Sequence, residues 1–182
     1  MRFLLYNIRY ATGTGAAFHL PVPGAGYLRS DKRVLAGITR FIKAQDPDIV
    51  GLIEIDTGIK RLIIELELDE VCVFLVHLSL KFRHRHAQLR QVFELVKRSA
   101  KPVIVAGDFN TFWGEHEMSL FMEASGLRSA NVAGLPSYPA RKPRMELDFI
   151  LYSKGIEIDA FVIPEVTFSD HRPLVCDFHV TG

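Results

Sequence analysis

Cysteine is scarce: the 182 residues include only Cys72 and Cys176. Each lies inside an apolar run, without CxxC spacing and without a histidine at zinc-ligand spacing. That argues against a disulfide framework, a thiol-redox motif or a cysteine-built zinc site. Both are read as reduced, buried side chains acting as small hydrophobes. An excess of one charge is missing too. The formal net charge is +1, from 22 basic and 21 acidic residues, which argues against binding driven by a global positive field and leaves a local basic patch open. No apolar run approaches the ~20 residues of a membrane span. The stretch Met1-Arg2-Phe3-Leu4-Leu5-Tyr6-Asn7 is too short for a signal peptide. The expectation is a cytoplasmic protein with no membrane span and no evident obligate protein partner.

What is present is a chain of short apolar runs. Arg2 to Ile8 reads as a strand, and Ala11 to Arg29, rich in Gly, Pro and Ala, as a long loop. Ser30-Asp31 offers N-caps for a helix carrying Val34, Ile38, Phe41 and Ile42, with Pro47 after its end. Asp48 to Ile55 reads as a buried strand. Leu62, Ile64, Leu66 and Leu68 alternate with Glu65 and Glu67, and Val71 to Leu78 returns after Asp69-Glu70, so the pair reads as a hairpin. Leu89, Val92, Phe93 and Val96 mark a helix to about Arg98, and Glu117 to Ala124 another, stopped by Gly126. Pro102 to Ala106, Leu147 to Tyr152, Ile156 to Ile163 and Pro173 to Val180 are the remaining strands. Two mostly antiparallel sheets packed face to face, with helices outside, satisfy these faces.

Several strands share an oddity. Each is apolar until one end, where it presents a carboxylate, amide or imidazole: Asn7, Glu54, His77, Asp108 with Asn110, and Asp170 with His171. Asp148 does the same at a strand start. Burying one such group without a partner costs several kcal/mol, so these residues are expected to converge on one another, on water or on a cation. Clustered carboxylates repel, and a hard divalent cation resolves the repulsion. Oxygen ligands of this kind select Mg²⁺, Mn²⁺ or Ca²⁺ over zinc. Attack of water on a phosphoester suits such a cluster: the metal neutralises phosphate oxygens, a carboxylate-oriented imidazole handles protons, and amides fix the phosphate.

Six segments carry a family resemblance in order along the chain. They are Leu5-Tyr6-Asn7-Ile8-Arg9, Asp48-Ile49-Val50-Gly51-Leu52-Ile53-Glu54, Val76-His77-Leu78-Ser79, Gly107-Asp108-Phe109-Asn110-Thr111, Glu146-Leu147-Asp148-Phe149-Ile150 and Ser169-Asp170-His171-Arg172-Pro173-Leu174. The set resembles the endonuclease/exonuclease/phosphatase superfamily. The resemblance implies an α/β (α+β) four-layer α/β/β/α sandwich of DNase I-like fold. It implies a metal-dependent phosphodiesterase, nuclease or phosphatase using Mg²⁺, with Mn²⁺ as substitute, on nucleic-acid or small-molecule or lipid phosphoesters. Glu54 becomes the principal metal ligand, with Asn7 and Asp170 near the same metal. His171, paired with Asp108 or Asp170, activates water or steadies the pentavalent phosphate. His77 donates a proton or binds phosphate, Asn110 positions the scissile group, and Asp148 orients His77. The alternative of a different class is a binding or scaffold protein that kept the fold and lost catalysis.

Weaker signals surround these motifs. Arg83, His84, Arg85 and His86 precede the helix at Leu89 and either meet a phosphate-rich substrate or form a solvated helix start. Trp113 either stacks on a base or sugar or packs. Arg141, with Lys142 and Arg144 after Ser137-Tyr138-Pro139, lies on the loop leading to Asp148 and is a candidate substrate contact. Between Glu54 and His77 the chain is shorter than in family members. Residues 1–182 are therefore read as one domain with a stretch missing near 56–60, the other reading being a true deletion closed by a Thr57-Gly58 turn.

Overall fold

The computed structural model describes residues 1–13, 31–55, 63–112 and 115–181. The region near 56–60 where a stretch is expected to be missing, the alternative Thr57-Gly58 turn, and Trp113 lie outside the described residues, as does most of the Gly- and Pro-rich loop.

The first strand, β1 (Arg2–Asn7), sends alternate side chains to two apolar environments. Phe3 and Leu5 join a cluster with Ile49, Ile104, Ile150, Leu174, Cys176 and Phe178, while Leu4 and Tyr6 join one with Ile38 and Val175. A strand apolar on both faces must be covered on both. On one side the cover is α1 (Lys32–Gln45), whose N-cap Asp31 accepts from the Arg33 N–H at 2.8 Å. On the other side lies a second sheet.

The first sheet has the order β2-β1-β9-β8, with β2 (Ile49–Ile53), β8 (Ile156–Val162) and β9 (Leu174–Val180). The second has the order β3-β4-β5-β7-β6, with β3 (Ile63–Glu67), β4 (Cys72–His77), β5 (Val103–Asp108), β6 (Arg128–Ser129) and β7 (Asp148–Tyr152). Outside it, Phe74, Val76, Val105, Phe109 and Leu151 pack with Leu89, Val92 and Phe121, which belong to α2 (Phe82–Arg98) and α3 (Glu115–Ser125). The layers are therefore helix, sheet, sheet, helix. The expected four-layer architecture is what the chain adopts.

Among the described residues, five of the seven strand pairings are antiparallel, and β1/β2 and β4/β5 are parallel. Parallel neighbours need a crossover. α1 supplies the first and α2 the second, so these two joins are helical rather than hairpin-like. The expected β3/β4 hairpin partners pair in register from Ile63↔Val76 to Glu67↔Cys72. The apolar face of β3 is less covered than its alternation suggests, with Ile64 51% and Leu66 42% exposed, because an edge strand has one neighbour only. α2 begins seven residues before the predicted Leu89, so the basic cluster Arg83–His86 lies within its first turns rather than ahead of it. Both cysteines are free and buried, as expected.

Candidate active site

Strand alternation explains how the polar ends meet. Phe3 and Leu5, Val73 and Leu75, Ile104 and Ala106, and Ile150 and Tyr152 all face the core between the sheets. Continuing each series by two residues reaches Asn7, His77, Asp108 and Asp148, so these four share the between-sheet side where the core opens. His77, Asp108 and Asp148 form one cross-strand row, since His77↔Asp108 and Asp108↔Asp148 are register partners. Glu54 has the opposite parity, because Leu52 faces the α1 side. A left-handed backbone at Glu54 (φ 57°) breaks the alternation, and the Tyr10 N–H donates to the Glu54 carbonyl at 2.7 Å. That conformation costs about 1–2 kcal/mol in a non-glycine residue, and such strain gathers at functional sites.

The resulting contacts centre on Asp108. Its Oδ2 accepts from Asn7 Nδ2 at 3.1 Å and lies 3.9 Å from both His77 Nε2 and His171 Nε2. Its Oδ1 accepts from the Asn110 N–H at 2.9 Å. His77 Nε2 is 3.6 Å from Glu54 Oε1. His171 Nδ1 is 2.7 Å from Asp148 Oδ2, which also accepts from the Ser137 hydroxyl at 2.6 Å. The Tyr138 ring stands 4.9 Å from the His171 ring.

Crowding and burial perturb the acids. Burial, then the charge of Asp148, holds Asp108 well above the usual carboxylate range despite the opposing pull of His171 and the Asn110 N–H. Burial and then Asp170 raise Glu54, against His171 and Asn7. Burial alone would lower His171, but Asp148, Asp108 and Asp170 outweigh it and raise the imidazole to about 10. Ligand atoms of Glu54, His77 and Asp108 all lie within 4.8 Å of one another, as do those of Asp108, Asp148 and His171. Carboxylates driven above their ordinary range by burial, and then by neighbouring carboxylates, are what a divalent cation relieves. The oxygen-rich donor set fits a hard cation.

The geometry corrects two pairings. Asp148 does not orient His77: they lie on β7 and β4, two strands apart and so about 10 Å at sheet spacing. Asp148 instead holds His171. The expected partner of His171, Asp108 or Asp170, is thereby replaced, with Asp108 at 3.9 Å. Asp170 belongs to neither ligand group. Its Oδ2 is paired with Arg9 Nη1 at 2.9 Å, and it acts on Glu54 through its charge. Asn110 is brought to the cluster through its backbone, with its carboxamide donating to the Leu78 carbonyl at 2.9 Å. Arg83 is exposed in the first turn of α2. Arg141 is exposed on a loop tied to the site, where the Ala140 N–H donates to the Asp170 carbonyl at 2.7 Å.

Sequence reasoning gave no role to three residues. Arg9 neutralises Asp170, Ser137 supports Asp148, and Tyr138 covers His171. Their signal was positional only: Arg9 ends the Asn7 motif, and Ser137-Tyr138 opens the basic loop before Asp148.

The model of the Endonuclease/Exonuclease/phosphatase family matches residues 4–171. A UPF0294 protein of Vibrio vulnificus (strain YJ016) is 33% identical over 95 residues, covering 50% of this chain and 32% of that protein. The chain thus spans about a third of the length of that curated relative. An endonuclease/exonuclease/phosphatase from Beutenbergia cavernae superposes with TM-score 0.72 at 15% identity, covering 100% of this chain and 72% of that one. The mannosyl-6-phosphatase of Bacteroides thetaiotaomicron does so with TM-score 0.66 at 14% identity, covering 98% and 99%. At these identities the structures share the fold. Among the described residues, no helix is long and apolar enough to cross a membrane.

Proposed function

We propose that this chain, which belongs to the Endonuclease/Exonuclease/phosphatase family, hydrolyses phosphoester bonds by in-line attack of water with the help of a divalent cation. The observation that carries the reading is the cluster in which Glu54, His77, Asp108, Asp148 and His171 stand in successive contacts of 2.7 to 3.9 Å. Glu54 is the principal ligand, with Asn7 beside it. Mg²⁺ is the cation the donor set favours, and Mn²⁺ its substitute. When bound, the cation supplies charge neutralisation for the phosphate oxygens.

The side chains divide the remaining work. With Nδ1 held by Asp148, His171 turns Nε2 toward Asp108, so its direction is set before substrate arrives. As an imidazolium it stabilises negative charge growing on the phosphate. Asp108, held above the ordinary carboxylate range, is suited to take the proton of the attacking water. His77, between Glu54 and Asp108, binds a phosphate oxygen or gives a proton to the departing oxygen. Asn110 keeps one amide N–H beyond the one given to Leu78, and that donor positions the scissile group. The exposed Arg83 and Arg141 extend positive charge along the substrate.

Hydrolysis of bis-p-nitrophenyl phosphate, with Mg²⁺ or Mn²⁺ and again with chelator, tests the reading. Turnover that appears with metal and disappears with chelator is expected. Hydrolysis indifferent to chelator would remove the cation from the mechanism. A panel of DNA, RNA, phospholipid and sugar phosphate then sorts the substrate class, since one structural neighbour is a mannosyl-6-phosphatase and another a TDP2 complexed with single-strand DNA product.

A further inference from the structure

Arg85 is 2% exposed, and arginine is almost never so buried unless its donors are paired. The pairing here is specific. Nε donates to Glu117 Oε2 at 2.8 Å, and Nη1 donates to the carbonyls of Ser79 and Leu80, each at 3.1 Å. Ser79 and Leu80 belong to the short segment between His77 and α2. Glu117 lies in the first turns of α3, which follows Asn110. One ion pair therefore ties together the helices leaving the two strands that carry His77 and Asp108.

The same segment reaches the active site from its other end. The Leu78 carbonyl accepts from the Asn110 carboxamide at 2.9 Å, and the Leu78 N–H donates to the Asp108 carbonyl at 2.8 Å. The Ser79 N–H is held by Gln88 Oε1 at 2.8 Å. Asn110 has a left-handed backbone, φ 52°, so its side-chain direction depends on this outside support. The pair also borders a groove of about 590 Å³ walled by Leu80, Leu89, Phe93, Leu120 and Phe121, and weak solvation strengthens charge-assisted hydrogen bonds.

Stability is a poor explanation for this arrangement. Among the described residues Glu117 Oε1 is buried without a hydrogen-bond partner, and a buried ion pair with an unsatisfied oxygen is often no more stable than an apolar pair of similar volume. We infer that the Arg85–Glu117 pair is a positioning device for Asn110: it fixes the Ser79 and Leu80 carbonyls, and the adjoining Leu78 carbonyl then sets where the Asn110 carboxamide points. Arg85 and Glu117 are positioning residues, with no contact to the reacting atoms. The kinetic consequence rests on the phosphoesterase reading above, whereas the structural consequence does not.

The full chain with Mn²⁺ and bis-p-nitrophenyl phosphate provides the kinetic test. Glu117→Gln is expected to lower kcat about tenfold, a part of the ~10²-fold that a ~1 Å misplacement costs, with KM changed much less. Arg85→Lys should behave alike, because an ammonium cannot hold three oxygens in the planar fork of a guanidinium. In an Asn110→Ala background, Glu117→Gln should cost nothing further. Full additivity of the two losses would overturn the inference, since it would mean that the pair acts elsewhere. Nuclear magnetic resonance gives an arm that needs no activity. The Asn110 side-chain amide signals should shift and exchange faster in Glu117→Gln while the His171 ring signals stay in place. Unmoved Asn110 signals would also overturn the inference. If the wild-type protein hydrolyses nothing, the proposed function falls and the resonance arm still decides this point. If a single variant fails to fold, Arg85→Met with Glu117→Leu replaces the pair by apolar side chains and must show the same Asn110 signature.

Discussion

His171 Nδ1 lies 2.7 Å from Asp148 Oδ2, joining the loop before β9 of one sheet to the first residue of β7 in the other. The contact is buried, with the side chains 8% and 2% exposed. It fixes which imidazole nitrogen is left to face Asp108, 3.9 Å away.

Asp148→Asn should therefore lower turnover by at least ~10²-fold, the low end for losing one preorganised group that stabilises transition-state charge. The His171 pKa should fall from its raised value, because Asp148 is the strongest of the influences that lift it. Steady-state kinetics and a histidine resonance titration read the two effects. Turnover that survives while the pKa falls would make the dyad structural.

Glu54→Gln should leave the fold intact and weaken Mn²⁺ binding. A unit charge ~4 Å from another is worth up to about 4 kcal/mol at an effective dielectric of 20, so a loss of tenfold or more is expected. Titration calorimetry measures it. Unchanged affinity would move the principal ligand to the Asp108, Asp148 and His171 group.

Acid stability should depend on the surface pair between Arg2 Nε and Asp177 Oδ1, 2.7 Å apart. The Arg2 hydrogen bond, opposed by burial and aided by the Arg2 charge, lowers Asp177 below the ordinary carboxylate range. A depressed folded-state pKa gives stability that is present above the unfolded value of about 3.9 and lost as pH falls through the folded one. Asp177→Asn should thus destabilise slightly at pH 7 and make a smaller difference at pH 2. Urea melts at the two pH values check the sign, and an equal loss at both would exclude a charge effect.

Gly107→Ala should destabilise by about 3 kcal/mol, the upper range for forcing an extra group into a filled site. A Cβ there would stand 1.8 Å from the Val76 carbonyl oxygen, with φ at 155°. Since Gly107 precedes Asp108 on β5, the variant should also lose metal affinity. A thermal midpoint equal to wild type would show that β4 and β5 are free to separate.

The elements of this chain were legible in its sequence where one physical signal dominated. Phe3, Leu5 and Asn7 against Leu4 and Tyr6, or Val103 and Val105 against Ile104 and Ala106, are short, bounded apolar runs that read as strands covered on both faces. A carboxylate or imidazole ending such a strand stands out because burying it alone is costly. Asn7, Glu54, His77, Asp108 and Asp148 could thus be named from one dimension, as could the helix capped by Asp31. The start of α2 was not legible, since Arg85 occupies a core position and reads as one more solvated charge beside Arg83. Its burial requires Glu117, 32 residues away, and no local pattern announces that partner.

Residue chemistry and alternation belong to the sequence: which strand ends carry charged or polar groups, which face most of them share, and that they must converge somewhere. The pairing among them belongs to the tertiary structure. Asp148 holds His171 rather than His77 because β5 stands between β4 and β7, and the loop before β9 arrives from the opposite sheet. Asp170 is taken by Arg9 instead of joining a ligand group, and Glu54 comes within 3.6 Å of His77 only by a left-handed turn against its own alternation. Hydrogen bonds and charge pairs act over ~3–4 Å, a distance set by how two sheets stack, and stacking is a property of the whole chain.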